Sequence, residues 1–337
     1  MAITGPSPAL FFDTVNAFQR TEALRTAIEL DLFTQVVAGG RTAEQLAQAC
    51  QAAPRGIRIL ADYLTTLGFL RKDAGGYQLT PDAQVFLDRR SPGYLGSAVG
   101  FLLADELREY FRHLTAAVRR GGTAVSNEGT VSHDNPIWVG FARAMVPIMR
   151  PAARLLTDLI GGDPQQSLRV LDVAAGHGLF GITVAERYPQ ARVTALDWPG
   201  VLAVAAENAR KASVAGRHTL LAGSAFETDW GGPYDIVLLT NFLHHFDMPT
   251  CRQLAAKAYA ALVPGGRSLT LDFIPEPDRV TPPSTAAFAL TMLVTTAHGD
   301  AYTFAEYQAI FAEAGFHRSE FHPLPPTTQQ AVVSYKG

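Results

Sequence analysis

Cysteine is nearly missing from this chain: among 337 residues only Cys50 and Cys251 occur. Each falls inside a helical pattern, and their spacing suits neither a disulfide framework nor a cysteine-built zinc site, so both are expected to be reduced core thiols. A basic run is also lacking. Lys plus Arg number 28 against 31 Asp plus Glu, a formal net charge of −3, which makes nucleic acid an unexpected partner. No apolar run is long enough for a membrane span, and the first apolar stretch, residues 9–12, is far shorter than a signal-peptide core. The remaining expectation is a cytoplasmic protein without membrane contact, long enough for two domains.

What the chain does contain is a glycine turn set between a strand and a helix. Val170, Leu171 and Val173, with an acid at Asp172, read as a central parallel strand; Gly176-His177-Gly178 then lets the backbone turn tightly and approach a ligand. Asp172 is expected to face a cationic or hydroxyl-rich ligand. Gly176, Gly178 and Gly181 also fit a dinucleotide fingerprint, so the glycines alone leave NAD and other adenosine-bearing cofactors open. Beyond the turn the chain alternates: strand 192–196, helix 201–212, strands 218–221 and 234–239, helix 250–262, strand 268–273. That alternation predicts a parallel sheet covered on both faces, closed at one edge by a helix over 304–315 and a hairpin over 316–321 and 331–335. Ligands on such sheets sit at the carboxyl ends of the strands.

Ahead of this region the pattern is mostly helical. An amphipathic helix is expected from Thr14 to Leu32, Thr42 with Gln45 reads as a helix start, and Pro54 opens a third helix that Gly68 ends. A Gly75-Gly76 turn between short extended runs, followed by Thr80-Pro81, completes the outline of a winged helix. A winged helix invites a DNA-binding reading, but Arg55 and Arg58 are too few cations to neutralise several phosphates. From Tyr94 to Ile160 the chain is again helical, and Phe141 and Met145 fall on one helix face.

The strand ends carry the chemistry. Asp197 follows the second strand, where an acid can accept hydrogen bonds from both ribose hydroxyls, and Trp198 beside it is placed to lie against adenine. The fourth strand leads through Thr240 into Leu243-His244-His245-Phe246; histidine can take a phenolic proton near neutral pH. His245 reads as packing or capping. Pro264-Gly265-Gly266 reads as a tight turn before the fifth strand, which ends at Asp272.

In these motifs, from Leu168 to Asp272, the chain resembles class I S-adenosylmethionine (SAM)-dependent methyltransferases, and over nearly its whole length the small-molecule O-methyltransferases of plant phenolic and bacterial natural-product type. The resemblance implies an α/β fold: a Rossmann-like, seven-stranded SAM-binding domain over 161–337, preceded by a mostly helical winged-helix dimerisation domain over 1–92. A helical linker over 93–160 would contribute to the acceptor pocket. It implies SAM as cofactor without a metal, a homodimer, and methyl transfer to a hydroxyl of a small aromatic or polyketide-like acceptor. Carried onto this sequence, His244 is the general base and Asp272 orients it. Asp172, Gly176, Gly178, Asp197, Trp198, Ser224, Ala225, Phe226 and Thr240 bind the cofactor, while Phe101, Phe141, Met145, Phe288 and Met292 line the acceptor pocket. Two positions depart from the family pattern: Ser224 stands where an Asp usually reads adenine, and Ala301 stands where a second acid usually supports the histidine, with Asp300 next to it. Methyl transfer to nitrogen or carbon, or a SAM-binding relative performing hydroxylation or decarboxylation, are the alternative activities.

Overall fold

The computed structural model describes residues 5–337. They cluster into two compact units divided between Gly100 and Phe101, so residues 101–160, read above as a linker, cluster with the sheet.

The first unit is built from short helices and one small hairpin. The expected helix over 14–32 is instead two helices, Ala9–Val15 and Ala17–Glu29, separated by Asn16. A third, Leu32–Val37, starts after Asp31, whose φ is 55°. Asn and Asp tolerate such turns because their side chains compete with the helix for backbone groups. Thr42 and Gln45 form a full capping box for Ala43–Ala49, and Pro54 occupies the first turn of Pro54–Thr66. Strands β1 (Leu70–Asp73) and β2 (Gly76–Leu79) pair antiparallel as the wing. The hairpin is tied back by Tyr77 N donating to Arg41 O at 2.8 Å; a Cβ at Gly76 would stand 2.2 Å from that oxygen. Leu32, Phe33, Leu46, Ile57, Leu64 and Leu70 form this unit's core. Each such side chain stabilises by roughly 1.5–3 kcal/mol when buried.

The second unit is a sheet of seven strands in the order β5-β4-β3-β6-β7-β9-β8. The strands are β3 (Arg169–Val173), β4 (Arg192–Asp197), β5 (His218–Ala222), β6 (Tyr234–Thr240), β7 (Leu262–Asp272), β8 (Arg318–Pro323) and β9 (Gln330–Tyr335). The first five are parallel and the hairpin β8–β9 runs antiparallel at one edge. Strand order reverses between β3 and β6, and the carboxyl ends of these two neighbours open the crevice where a ligand is expected. Pro264-Gly265-Gly266 is not a free turn before the fifth strand but lies inside β7, where the pairing with β6 shifts register between Tyr234↔Leu262 and Ile236↔Arg267. The three residues form the irregularity that absorbs that shift.

Candidate active site

The glycine turn is a backbone solution to a crowding problem. Gly176 and Gly178 have φ of 57° and 71°, and a Cβ on Gly178 would sit 2.9 Å from the Ala205 side chain. Gly181, in the following helix Leu179–Arg187, has no room for a Cβ: Val193 would lie 2.6 Å away. Asp172 does not face the ligand space as the sequence suggested. It is fully buried, and its Oδ2 accepts the Gly181 N–H at 2.9 Å, fastening the strand to the helix beneath the turn.

Above the turn is a cavity of about 490 Å³, a size suited to a small ligand or cofactor. Of the residues predicted to meet the cofactor, Gly176, Asp197, Trp198, Ser224, Ala225, Phe226 and Thr240 line it; Gly178 and Asp172 do not and act from below. Asp197 accepts the N–H of Gly176 through Oδ2 and that of Trp198 through Oδ1, both at 2.7 Å. It is half-buried, and burial pushes its carboxyl up to about 6. Ser224 Oγ accepts the Phe226 N–H at 3.1 Å and so shapes the loop as well as lining it.

Several lining residues carried no signal that the sequence reading caught. Trp138 and Phe180 belong to helical patterns that look like ordinary core, and His177 stands between the two turn glycines. The His177 ring is nearly parallel to that of Phe141, with centroids 6.4 Å apart, and burial depresses its imidazole to about 4, so it is a neutral wall. His245, which the sequence suggests is packing or capping, lines the cavity; burial first, then neighbouring His244, pushes its imidazole well below the usual value. Lys257, equally silent in the sequence, supports the site without lining the cavity. Its Nζ donates to Ala225 O, Phe226 O and Thr228 O at 2.8, 2.8 and 3.1 Å and holds the loop after β5 from behind.

The histidine turn follows β6. Asn241 takes φ 53°, and residues 243–245 form one turn of 3-10 helix that delivers both histidines. The buried Cys251 donates its thiol proton to Leu243 O at 3.1 Å, pinning that turn to the helix Met248–Ala261. His244 Nδ1 is 2.6 Å from Asp272 Oδ1, with both side chains almost fully buried. Phe273 N also donates to Oδ1, at 2.8 Å. Facing an acceptor oxygen, Nδ1 carries the ring proton in the neutral imidazole, which leaves Nε2 as the basic nitrogen.

The predicted acceptor-pocket residues fall into two groups. Phe141 lines the cavity, and Phe101 and Trp138 meet it edge-on at 5.5 and 5.6 Å. Phe288 stands edge-on to the His244 ring at 4.7 Å and stacks on Phe273 at 4.0 Å. Met145 and Met292 are buried and do not line this cavity. Among the described residues no group of three or more His, Cys, Asp or Glu is placed to hold a metal, and no helix is long and apolar enough to cross a membrane.

Comparison with known proteins agrees with this geometry. A family model for an O-methyltransferase domain matches residues 155–317, and one for an O-methyltransferase dimerisation domain matches 12–89. The chain is 30% identical to a 3-hydroxy-5-methyl-1-naphthoate 3-O-methyltransferase of Streptomyces sahachiroi, over 91% of this chain and 89% of that one. It is 29% identical to the 8-O-methyl transferase of tetracenomycin polyketide synthesis in Streptomyces glaucescens, over 93% and 92%. A crystal structure of a Nostoc punctiforme protein assigned to the O-methyltransferases superposes with a TM-score of 0.95 at 53% identity, covering 98% of this chain and 100% of that one. With a dimerisation unit, a seven-stranded sheet and a cofactor-sized cavity at its switch point, the chain belongs to the SAM-dependent O-methyltransferase family.

Proposed function

We propose that this enzyme methylates a hydroxyl of a small aromatic or polyketide-like metabolite, with His244 as general base. The observation that supports it most is the buried His244–Asp272 pair after β6, 2.6 Å between Nδ1 and Oδ1; neither of the two lines the aromatic-walled cavity, but the next residue, His245, does. The naphthoate and tetracenomycin enzymes named above supply the acceptor class by similarity.

When bound, SAM supplies a methyl group already activated by its sulfonium. The chain's own task is to hold, align and deprotonate. Each Asp197 oxygen keeps a lone pair beyond the backbone N–H it accepts, available to ribose hydroxyls. Trp198, Phe226 and Ala225 would flank the base, Ser224 would offer its hydroxyl to the base edge, and Gly176 and Thr240 would border the rest of the cofactor. Asp172 and Gly178 keep the turn in shape. Phe141, Phe101 and Phe288 would exclude water around the acceptor, whereas Met145 and Met292 do not line the cavity and have no acceptor contact. His244 Nε2 takes the hydroxyl proton while Asp272 balances the imidazolium that forms. A homodimer in a cytoplasmic setting completes the reading. Its support is the dimerisation-domain match, the exposed apolar residues on the first helices and two free cysteines.

The test is turnover of His244→Ala on a phenolic acceptor panel with saturating SAM. A fall in kcat of about 100-fold or more, with SAM affinity by calorimetry unchanged, is expected for loss of a general base. Turnover at the wild-type rate would remove His244 from that role.

A further inference from the structure

Ala301 leaves His244 without the second acid of the family pattern, and the carboxylates nearest in sequence are engaged elsewhere. Asp300 Oδ2 lies 3.5 Å from Arg279 Nη1, and Glu306 Oε1 lies 2.5 Å from Arg279 Nη2, both toward solvent. What this loop gives to His244 is backbone: Asp300 N donates to His244 O at 3.0 Å. The group on the far side of the dyad is a phenol. Tyr307, fully buried in the helix Phe304–Glu313, donates its hydroxyl to Asp272 Oδ2 at 2.7 Å.

We propose that Tyr307 is a positioning residue for proton removal, acting on His244 through Asp272 in a buried His244–Asp272–Tyr307 chain. The inference rests on the reading of His244 as the base. Three donors meet the two Asp272 oxygens: His244 Nδ1 and Phe273 N at Oδ1, Tyr307 at Oδ2. A carboxylate can turn about its last torsion, and the phenol at Oδ2 holds the orientation that aims Oδ1 at the imidazole. The phenol also draws off part of the carboxylate charge. Tyr307 therefore sets how tightly Asp272 holds a protonated His244. Burial, and then Asp272 itself, keep the Tyr307 hydroxyl protonated well above the usual range, so it remains a donor.

The other titratable groups around the chain come from every packed element. Cys251 and Tyr302 are held neutral, chiefly by burial, and so is His245; Asp247 caps the next helix by accepting from Thr250 N. None of these four side chains hydrogen-bonds to Asp272, whereas Tyr307 does.

Tyr307→Phe keeps the ring and removes only the donor. The expected result is unchanged SAM affinity and acceptor KM and a kcat lowered about 10-fold, the scale of one hydrogen bond to a charged group. The acidic limb of the rate profile should move toward higher pH, because a carboxylate freed of its donor keeps the histidine protonated longer. Incorporating 3-fluorotyrosine at position 307 strengthens the donor without emptying its place, and the limb should move the opposite way. The low-field proton signal of the His244–Asp272 hydrogen bond should shift in both variants without acceptor present. Tyr302→Phe, which removes a buried phenol bonded to Phe246 O, is the comparison and should leave the limb in place. If neither variant at 307 moves the limb or the proton signal while SAM binding is intact, the proposal is overturned and the phenol is only structural. If His244→Ala keeps full turnover, the base assignment fails and takes this chain with it. An inactive His244→Ala with an unmoved Tyr307→Phe limb removes the chain alone.

Discussion

Asp172 gives Oδ2 to the Gly181 N–H and has no partner for Oδ1, with no exposure to solvent. Burial pushes its carboxyl up from the ordinary carboxylate range to about 7, and Asp197 nearby adds to the effect. An acid raised in this way binds its proton more tightly folded than unfolded. It therefore costs stability as pH rises from the unfolded value through the folded one, and the cost is complete above about 7. Asp172→Asn, which does not titrate and can still accept from Gly181, should match the wild-type melting temperature near pH 4 and exceed it by a few degrees at pH 8. A melting series across pH checks this; equal melting temperatures at pH 8 would mean that Asp172 carries no such burden. Asp172 also marks a limit of reading residues from a motif. Its place before the glycines is legible in the sequence, but its direction depends on Gly181 lacking a Cβ. Tyr307 is less legible still, since it bonds a residue 35 positions earlier and in its own helix looks like one more core aromatic.

The helix Met248–Ala261 shows how one element serves two parts of the site. Cys251 on it grips the histidine turn, and Lys257, under two turns further on, collects three carbonyls from the loop after β5 while lying 5.1 Å over the Trp230 ring. Those carbonyls belong to the segment containing Ala225 and Phe226. Replacing Lys257 by Met preserves length and removes the charge-assisted donors, each worth roughly 1.5–3 kcal/mol when lost. SAM affinity by calorimetry should weaken about 10-fold, with kcat at saturating SAM close to wild type; an unchanged affinity would show that the loop holds its shape without the lysine. The element order of the sheet unit is legible because alternating strands and helices repeat with clear periods, and position at a strand end then nominates Asp197, His244 and Asp272. The irregular course of β7 through Pro264, Gly265 and Gly266 is not, because a turn signal and a bulge signal are the same residues.

At the scale of the molecule, the first helix buries no residue, and Leu10, Phe11, Phe12, Val15 and Phe18 are each more than half exposed. Apolar exposure of this density, within or beside the segment matching a dimerisation domain, supports a second copy as its cover. Phe11→Asp with Phe12→Asp should convert a dimer into a monomer in light scattering at micromolar concentration while SAM still binds; a doubly substituted chain that stays dimeric would place the interface elsewhere. The sheet raises a different matter. β9 pairs with β7 on one side and β8 on the other, so the last strand in chain order enters between two earlier ones. Until residues 330–335 have emerged and docked, β7 presents an open edge of unpaired N–H and C=O groups beside Leu269 and Leu271. A nascent chain at that stage is a template for pairing with another nascent chain. Its survival during synthesis depends on how soon the final hairpin arrives.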